Sequence, residues 1–462
     1  MLLSYLVLVA LGAIVQSRAA VARVWQVAFE RSERQNAVTL CGGCAGLVLS
    51  LVARADIDGY VYRVQPAGAK ALLGQYAIWF DGFSVSSIGS DLALILSVVQ
   101  SLLVGIVFLS LPARCRDRRT IALVAVTFVA MIVVALTDRT LKSGDMYAYV
   151  AFIKLGLAAY RPPAREFSGD LHIIYVMWGS PLLPCPYGPL WLGIASLVTS
   201  FATDVSSSIF ALRAFNVVLM ALGSVLIARA SGSLGLAAAF ALNPALLEEF
   251  VIDGHNDLLG IVTLLVATCV ARGPLLRAAC IVAAGCIKLP LLVVGIIAAV
   301  PGATPLRRVL ACAAIALSSL GISIAWAGPS YLGSIAHQSE MHQTTSVFAY
   351  VTHVACEALL GLGLLRVLRF GRVDAGTAPA AMSMGVLPFS WYFAWGVPMA
   401  ERAGTLAPFL IAMPFVVGLL SGFTYAWTES RDFAALAFCL LTVVAIVRVR
   451  LRGRPARATA TS

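Results

Sequence analysis

Charge is scarce in this chain. Only 12% of its 462 residues are Asp, Glu, Lys or Arg, 60% are hydrophobic, and the mean hydropathy is +0.91. Soluble domains carry about twice that share of charge, which excludes an ordinary soluble fold. A solvated basic patch is also missing. The net charge of +11 would suit a nucleic-acid partner only if the arginines gathered on one face. They fall instead in short connections between apolar runs, such as Arg114, Arg116, Arg118 and Arg119 or Arg366, Arg369 and Arg372, so no nucleic-acid partner is expected. No second ligand pair stands near Cys41-Gly42-Gly43-Cys44, and most of the ten cysteines lie inside apolar runs, where they act as small hydrophobes. The apolar run from Leu2 to Val15 lacks a basic region before it and has arginines after it, which reads as a first transmembrane helix and not as a cleaved signal. Fixed-period repeats, low-complexity segments and long linkers are absent too, leaving one domain over 1–447 and a basic tail over 448–462.

What the chain does have is a succession of apolar runs, roughly ten to twelve, each about 17–25 residues long and so able to cross a bilayer as a helix. The expected fold is an all-α polytopic transmembrane bundle. Helices are expected at 2–16, 37–53, 86–111, 120–137, 189–202, 208–229, 233–247, 257–271, 309–327, 347–368, 406–424 and 432–447. Two regions break the pattern. Lys288-Leu289-Pro290 interrupts 278–301, and Pro388-Phe389-Ser390-Trp391-Tyr392 interrupts 376–403. Both read as helical hairpins whose turns need protein or a watery cavity to satisfy their backbone. Arginine-rich connections belong to the cytoplasmic side, with the tail lying against anionic lipid. The segments at 54–85, 138–187, 251–257, 328–348 and 425–431 then face outward, and 138–187 becomes a large outer loop after the fourth helix. Tyr187 to Pro189 and Glu248-Glu249 can both be outward only if a helix between them is short or re-entrant.

The polar residues concentrate on that outer side. Asp145 follows Gly144 just past an apolar run. It could cap a helix start, or serve as a general base that takes a proton from an acceptor hydroxyl. Tyr147, Arg161, Tyr187, Gly188 and Pro189 follow, with Pro189 suited to a first helical turn. Glu248 to Asp257 packs four acids, His255 and Asn256 into ten residues, a cluster that must face water, protein or substrate. No metal is expected there, because His255, Asp253 and Asp257 at two-residue spacing would not share a helical face; His255, Asn256 and Asp257 are read as binding sugar or acceptor hydroxyls. Lys288, deep in an apolar run, needs an anionic partner. Either a protein carboxylate or the phosphate of a lipid carrier would serve, with Arg161 and Arg213 competing for the phosphate. Trp391 and Tyr392 complete the candidate set.

These segments resemble the polyprenol-phosphate-dependent glycosyltransferases of the GT-C superfamily, most closely the bacterial alpha-1,6-mannopyranosyltransferase branch. Asp145-Met146-Tyr147-Ala148-Tyr149 is similar to that family's Asp-x-Tyr-x-Tyr loop, and Pro186-Tyr187-Gly188-Pro189-Leu190 to its closing turn. Asn243-Pro244 with Gly254-His255-Asn256-Asp257, Lys288-Leu289-Pro290, and Pro388 through Trp395 resemble its remaining motifs, so that the likeness covers about 145–395. It departs at Gly156-Leu157-Ala158-Ala159-Tyr160, where the family has Gly-x-x-Pro-Tyr, and by one extra residue before Trp391. The resemblance implies Asp145 as catalytic base, inverting chemistry at the outer face, a polyprenyl-phosphate sugar (mannose by default) as donor, and an envelope glycan or glycolipid as acceptor. The lipid bilayer is the other partner, and no cofactor beyond the lipid-linked donor is implied. The rival from another class is a transporter or flippase of lipid-linked sugars, which broken helices and a membrane-depth lysine also suit. The large aromatic loop at 138–187 and the lack of an inverted repeat speak for the enzyme.

Overall fold

A computed structural model describes residues 33–64, 70–73, 76–79, 87–111, 117–141, 144–161, 167, 169–172, 174, 183–340, 347–373, 377–384 and 390–425. The expected helices at 2–16 and 432–447, the tail and Pro388 lie outside the described residues. Within them the chain is helical apart from one small sheet. Four helices are long and apolar enough to cross a membrane: Ala37–Ile57 within α1 (Glu33–Val64), α3 (Arg118–Thr137), α6 (Val205–Ser231) and α12 (Pro305–Ala327). A fifth span is possible if α7 (Leu234–Ala241) and α8 (Pro244–Ile252), bent by 42°, are counted together.

Burial along these helices follows the helical period and shows which side meets lipid. In α3 the buried residues are Val124, Thr127, Met131 and Ala135, one stripe at three- and four-residue spacing. Val126, Val129 and Val133 on the other faces are more than half exposed, an apolar exterior that only lipid explains. Capping sets the ends. Asp117 accepts hydrogen bonds from the Arg119 and Thr120 amides ahead of α3, and Asp204 forms a reciprocal capping box with Ser207 ahead of α6. Gly232, at φ 64°, closes α6.

Among the described residues several apolar runs expected to span do not stay continuous. The run at 189–202 is only ten residues of helix, α5 (Pro189–Val198), about 15 Å long and too short to cross the hydrocarbon core. That short helix lets Tyr187 and Glu249 share one end of the bundle. The run at 233–247 breaks at Asn243-Pro244. Asn243 is fully buried, its Oδ1 accepting from the Ala245 amide and its Nδ2 donating to the Leu410 carbonyl. The run at 278–301 becomes α10 (Pro274–Ile287) and α11 (Leu289–Ala299), which break at an extended Lys288. Gly285 faces Leu292 and Gly295 faces Ile281, so the two helices run antiparallel. The expected hairpin is present, and it turns at Lys288.

Two expected loops prove structured. The 138–187 loop holds α4 (Asp145–Leu155), and the 328–348 loop holds α13 (Ser330–Glu340). A three-stranded sheet, not expected from the sequence, joins β1 (Lys70–Leu73) antiparallel to β2 (Tyr76–Trp79) and β2 parallel to β3 (Thr140–Leu141). Strands this short lack the run of alternating residues that would mark them in the sequence. Two apolar clusters result. The larger one fills the helical bundle, while a smaller one gathers Met146 to Phe152, Tyr160, Tyr187, Trp191 and Tyr331 at one end.

Gly188 ties the start of α5 to the end of α10. Its amide donates to the Ile287 carbonyl at 2.8 Å, and a Cβ there would overlap the Cys286 carbonyl. Gly188→Ala is expected to lower stability by about 1–3 kcal/mol, seen as a drop of several degrees in the melting temperature of the detergent-solubilised protein. Gly273→Ala, where a Cβ meets nothing within 4 Å, should melt close to wild type.

Candidate functional site

The site is built on the turn between α8 and α9 (Asp257–Val270). After Pro244 the helix widens over Leu247–Ile252, with the Asp253 amide reaching back five residues to the Glu248 carbonyl and the His255 amide to the Glu249 carbonyl. Wide turns of this kind cost regular hydrogen bonding and recur at functional sites. Gly254 then takes φ 70°, and a Cβ there would run into Met146 Sδ. Glu249 and Asp253 stand four residues apart on one helical face, and the reversal brings His255 back to them. Asp257, which the sequence reading set beside Asp253 and His255, stands apart from this group and pairs with Lys288.

Two side chains of α6 hold the turn in place. Arg213 is fully buried, and its guanidinium donates to the carbonyls of Val251, Asp138 and Ala135. Asn216, one turn on, donates through Nδ2 to the carbonyls of Phe250 at 2.6 Å and His255 at 3.2 Å. Arg213 is thus a clamp between α3, α6 and α8, and this arrangement corrects its candidacy as a phosphate ligand. Asn216 was not singled out from the sequence. The three-residue spacing of two polar side chains on an apolar helix was the available signal.

His255 is the centre of the polar cluster. Its Nδ1 lies 3.3 Å from Asp145 Oδ2 and its Nε2 lies 3.7 Å from Glu249 Oε2. The ring is 1% exposed and stacks on Trp391, with centroids 3.8 Å apart and planes at 18°. Complete burial alone would push the imidazole toward its neutral form. The Asp145 carboxylate, helped by Glu249 and Asp253, outweighs that and holds its pKa above the ordinary histidine value. Asp145 opens α4 directly after the Gly144 cap, and its side chain is 16% exposed against 7% for Glu249. Glu248 turns the other way, to Arg54 at 2.9 Å.

Beside this cluster Lys288 meets Asp257, Nζ to Oδ1 at 2.7 Å. Of the two partners left open for Lys288, the protein carboxylate is the one present. The same oxygen accepts from Trp395 Nε1 at 2.8 Å. The ammonium also sits over the rings of Tyr187, Tyr392 and Trp395 at 4.8–5.3 Å, where cation–π attraction adds to the ion pair. Tyr187, Tyr149 and Trp191 pack edge to face or tilted at 4.9–5.2 Å. Asp257 Oδ2 and both amide atoms of Asn256 are buried with no hydrogen-bond partner, and Asn256 lines a crevice with Tyr149, Trp191 and Gly254.

The remaining candidates spread around this centre. Tyr147 is fully enclosed in the smaller cluster, and Pro189 is buried at the first turn of α5. Arg161 is exposed and donates to Ser330 Oγ at 3.4 Å, at the rim and away from the buried pair. Tyr392 is 7% exposed and joins Trp391 to Trp395 within a tight turn over Ser390–Gly396. The grouping can present a carboxylate, an ammonium, an amide and several aromatic faces to one ligand. A family described as alpha-(1->6)-mannopyranosyltransferase, N-terminal domain, matches residues 43–303, more than half of the chain, with Asp145, the turn from Leu247 to Asp257 and Lys288 inside the match and Trp391 to Trp395 beyond it. No curated protein and no solved structure matches the chain.

Two predictions follow from the charges. Arg213→Met leaves three buried carbonyls without their donor and is expected to cost about 3 kcal/mol or more, read as thermal stability in detergent, while the protein that does fold keeps its affinity for lipid phosphate. Asp257→Ala, which strands a buried ammonium, is expected to destabilise by about 3–5 kcal/mol, and adding Lys288→Met should recover much of the loss. A double-mutant cycle on melting temperature measures the coupling, and simple additivity would contradict the pairing.

Proposed function

The chain belongs to the alpha-(1->6)-mannopyranosyltransferase family, and from that premise we propose that it moves mannose from a polyprenyl-phosphate donor to an envelope glycan or glycolipid acceptor. It is a multi-pass membrane protein and a mannosyltransferase of the GT-C type. The donor, the acceptor, the base and the side of the membrane belong to the proposal. The observation that carries it is the position of Asp145, more exposed than Glu249 and 3.3 Å from His255, whose sequence neighbours Asn256 and Asp257 hold buried polar atoms with no hydrogen-bond partner among the described residues.

Asp145 takes the proton of the acceptor hydroxyl as that oxygen attacks the anomeric carbon. The bond from that carbon to the phosphate oxygen breaks with its electron pair leaving on the lipid phosphate. One displacement inverts the anomeric centre, and phosphate needs no acid to depart, so a single carboxylate suffices. His255 donates toward Asp145 from Nδ1 and orients it. Lys288 spends one of its three N–H bonds on Asp257 and has two more for the departing phosphate, with Arg161 as the outer alternative. Asn256 and Asp257 Oδ2 bind sugar hydroxyls, and the faces of Tyr187, Trp391 and Tyr392 pack on the sugar ring. Arginines in the connections opposite support an outward-facing site and a cytoplasmic C-terminus.

The test is transfer of radiolabelled mannose from polyprenyl phosphate to an envelope glycolipid extract by the purified protein. Asp145→Asn keeps the shape of the side chain and its packing. It should melt like wild type and transfer about 10²–10⁴-fold more slowly. Full transfer by this variant would sink the assignment of the base.

A further inference from the structure

We propose that Glu249, Asp253 and His255 form a binding site for one divalent first-row metal cation, of the Mn²⁺ or Zn²⁺ class, set directly behind Asp145. The three side chains each offer one ligand atom, all lie within 4.8 Å of one another, and all are buried. Nothing in the sugar-transfer scheme uses Glu249 or Asp253, and their grouping is produced by a backbone of unusual cost, the wide turn over Leu247–Ile252 followed by the left-handed Gly254.

The imidazole supplies the independent sign of a cation. It is 1% exposed, and neither ring nitrogen closes a full hydrogen bond: Nδ1 lies 3.3 Å from Asp145 Oδ2, and Nε2 is aimed at Glu249 Oε2 from 3.7 Å. An imidazolium hydrogen bond would draw a carboxylate to about 2.8 Å. Two ligands of one tetrahedral metal, each about 2.1 Å from it, stand about 3.4 Å apart. The Nε2–Glu249 separation is thus too long for the hydrogen bond and within a few tenths of an ångström of a coordination edge. One imidazole with two carboxylates suits Zn²⁺ or Mn²⁺ better than the all-oxygen sets favoured by Ca²⁺ or Mg²⁺. Three protein ligands leave at least one position open.

The second ring nitrogen links this site to the base. With a cation on Nε2, the proton must sit on Nδ1, the atom 3.3 Å from Asp145 Oδ2. That is the histidine–carboxylate relay found behind metal ligands, and here its carboxylate is Asp145. Trp391, stacked on the ring, fixes the plane of the imidazole. The cation therefore sets the tautomer and the direction of the group that positions Asp145.

Metal binding can be read without any transfer assay. The full-length protein in detergent is stripped with EDTA and titrated with Mn²⁺, following loss of the free-ion electron paramagnetic resonance signal, and separately with Zn²⁺, measured by mass spectrometry after gel filtration. Wild type should bind one equivalent of at least one of the two ions, and bound Mn²⁺ should show a ¹⁴N coupling that disappears in His255→Gln. Glu249→Gln and Asp253→Asn should each weaken binding at least 10–100-fold, and either one that remains monodisperse suffices for the comparison. Asp204→Asn, at the exposed cap of α6, should bind like wild type. Less than one equivalent of both ions on wild type, or equal affinity in the ligand variants and wild type, would overturn the site, whatever the transfer activity proves to be.

Discussion

The buried pair of Asp257 and Lys288 is the interaction on which the site depends. A fully enclosed carboxylate is tolerable only with a close cation and hydrogen bonds to its oxygens, and Lys288 at 2.7 Å with Trp395 at 2.8 Å provides both. This one contact ties the break in the α10–α11 hairpin to the start of α9 and to the turn at Ser390–Gly396. Tyr187 and Tyr392 take their places around the ammonium. Because the partners come from three separate stretches of chain, the pair fixes how those stretches meet.

The polar turn from Asp253 to Asp257 is affordable for a related reason. Its irregular backbone would leave carbonyls without donors, and the long side chains of Arg213 and Asn216 supply those donors from the apolar helix alongside. The polar residues of the candidate site therefore divide by task. Arg213, Asn216 and Asn243 satisfy backbone where helices break. Asp145, His255, Asn256, Asp257 and Lys288 keep polar atoms directed at a ligand or at each other. Other buried polar side chains serve elsewhere in the bundle, among them Arg54 paired with Glu248 and Arg308 donating to the carbonyls of Leu368 and Arg369.

Much of this was legible in the sequence. Helical runs such as 86–111 and 120–137 kept their bounds to within about two residues, since an unbroken apolar run with a cap before it has few alternatives. The hairpin turn at Lys288 could be read from a lysine and a proline interrupting an apolar run. The pairing of Lys288 was not legible, because sequence spacing carries no information on which distant carboxylate a cation meets. Arg213 was misassigned for the same reason: an arginine in an apolar helix signals an anionic or carbonyl partner without saying which. The clustering of Glu249 with Asp253 and His255 was not read from the sequence, where only Asp253, His255 and Asp257 were weighed together; a wide turn and a left-handed glycine bring His255 back to Glu249. The helices α4 and α13, eleven residues each, are too short to show as the membrane-length apolar runs that marked the other helices.

The central claim is that Asp145 faces the reacting carbon of a lipid-linked sugar while Lys288 faces its phosphate. A cryo-electron microscopy structure of the protein with a non-transferable mannosyl polyprenyl phosphonate would test it most directly. The account predicts sugar density against Trp391 and Tyr187, the anomeric carbon turned toward the Asp145 side, and the phosphonate within hydrogen-bond reach of Lys288. Analogue bound with its sugar away from Asp145, or with its phosphonate on the opposite side of the bundle from Lys288, would contradict it.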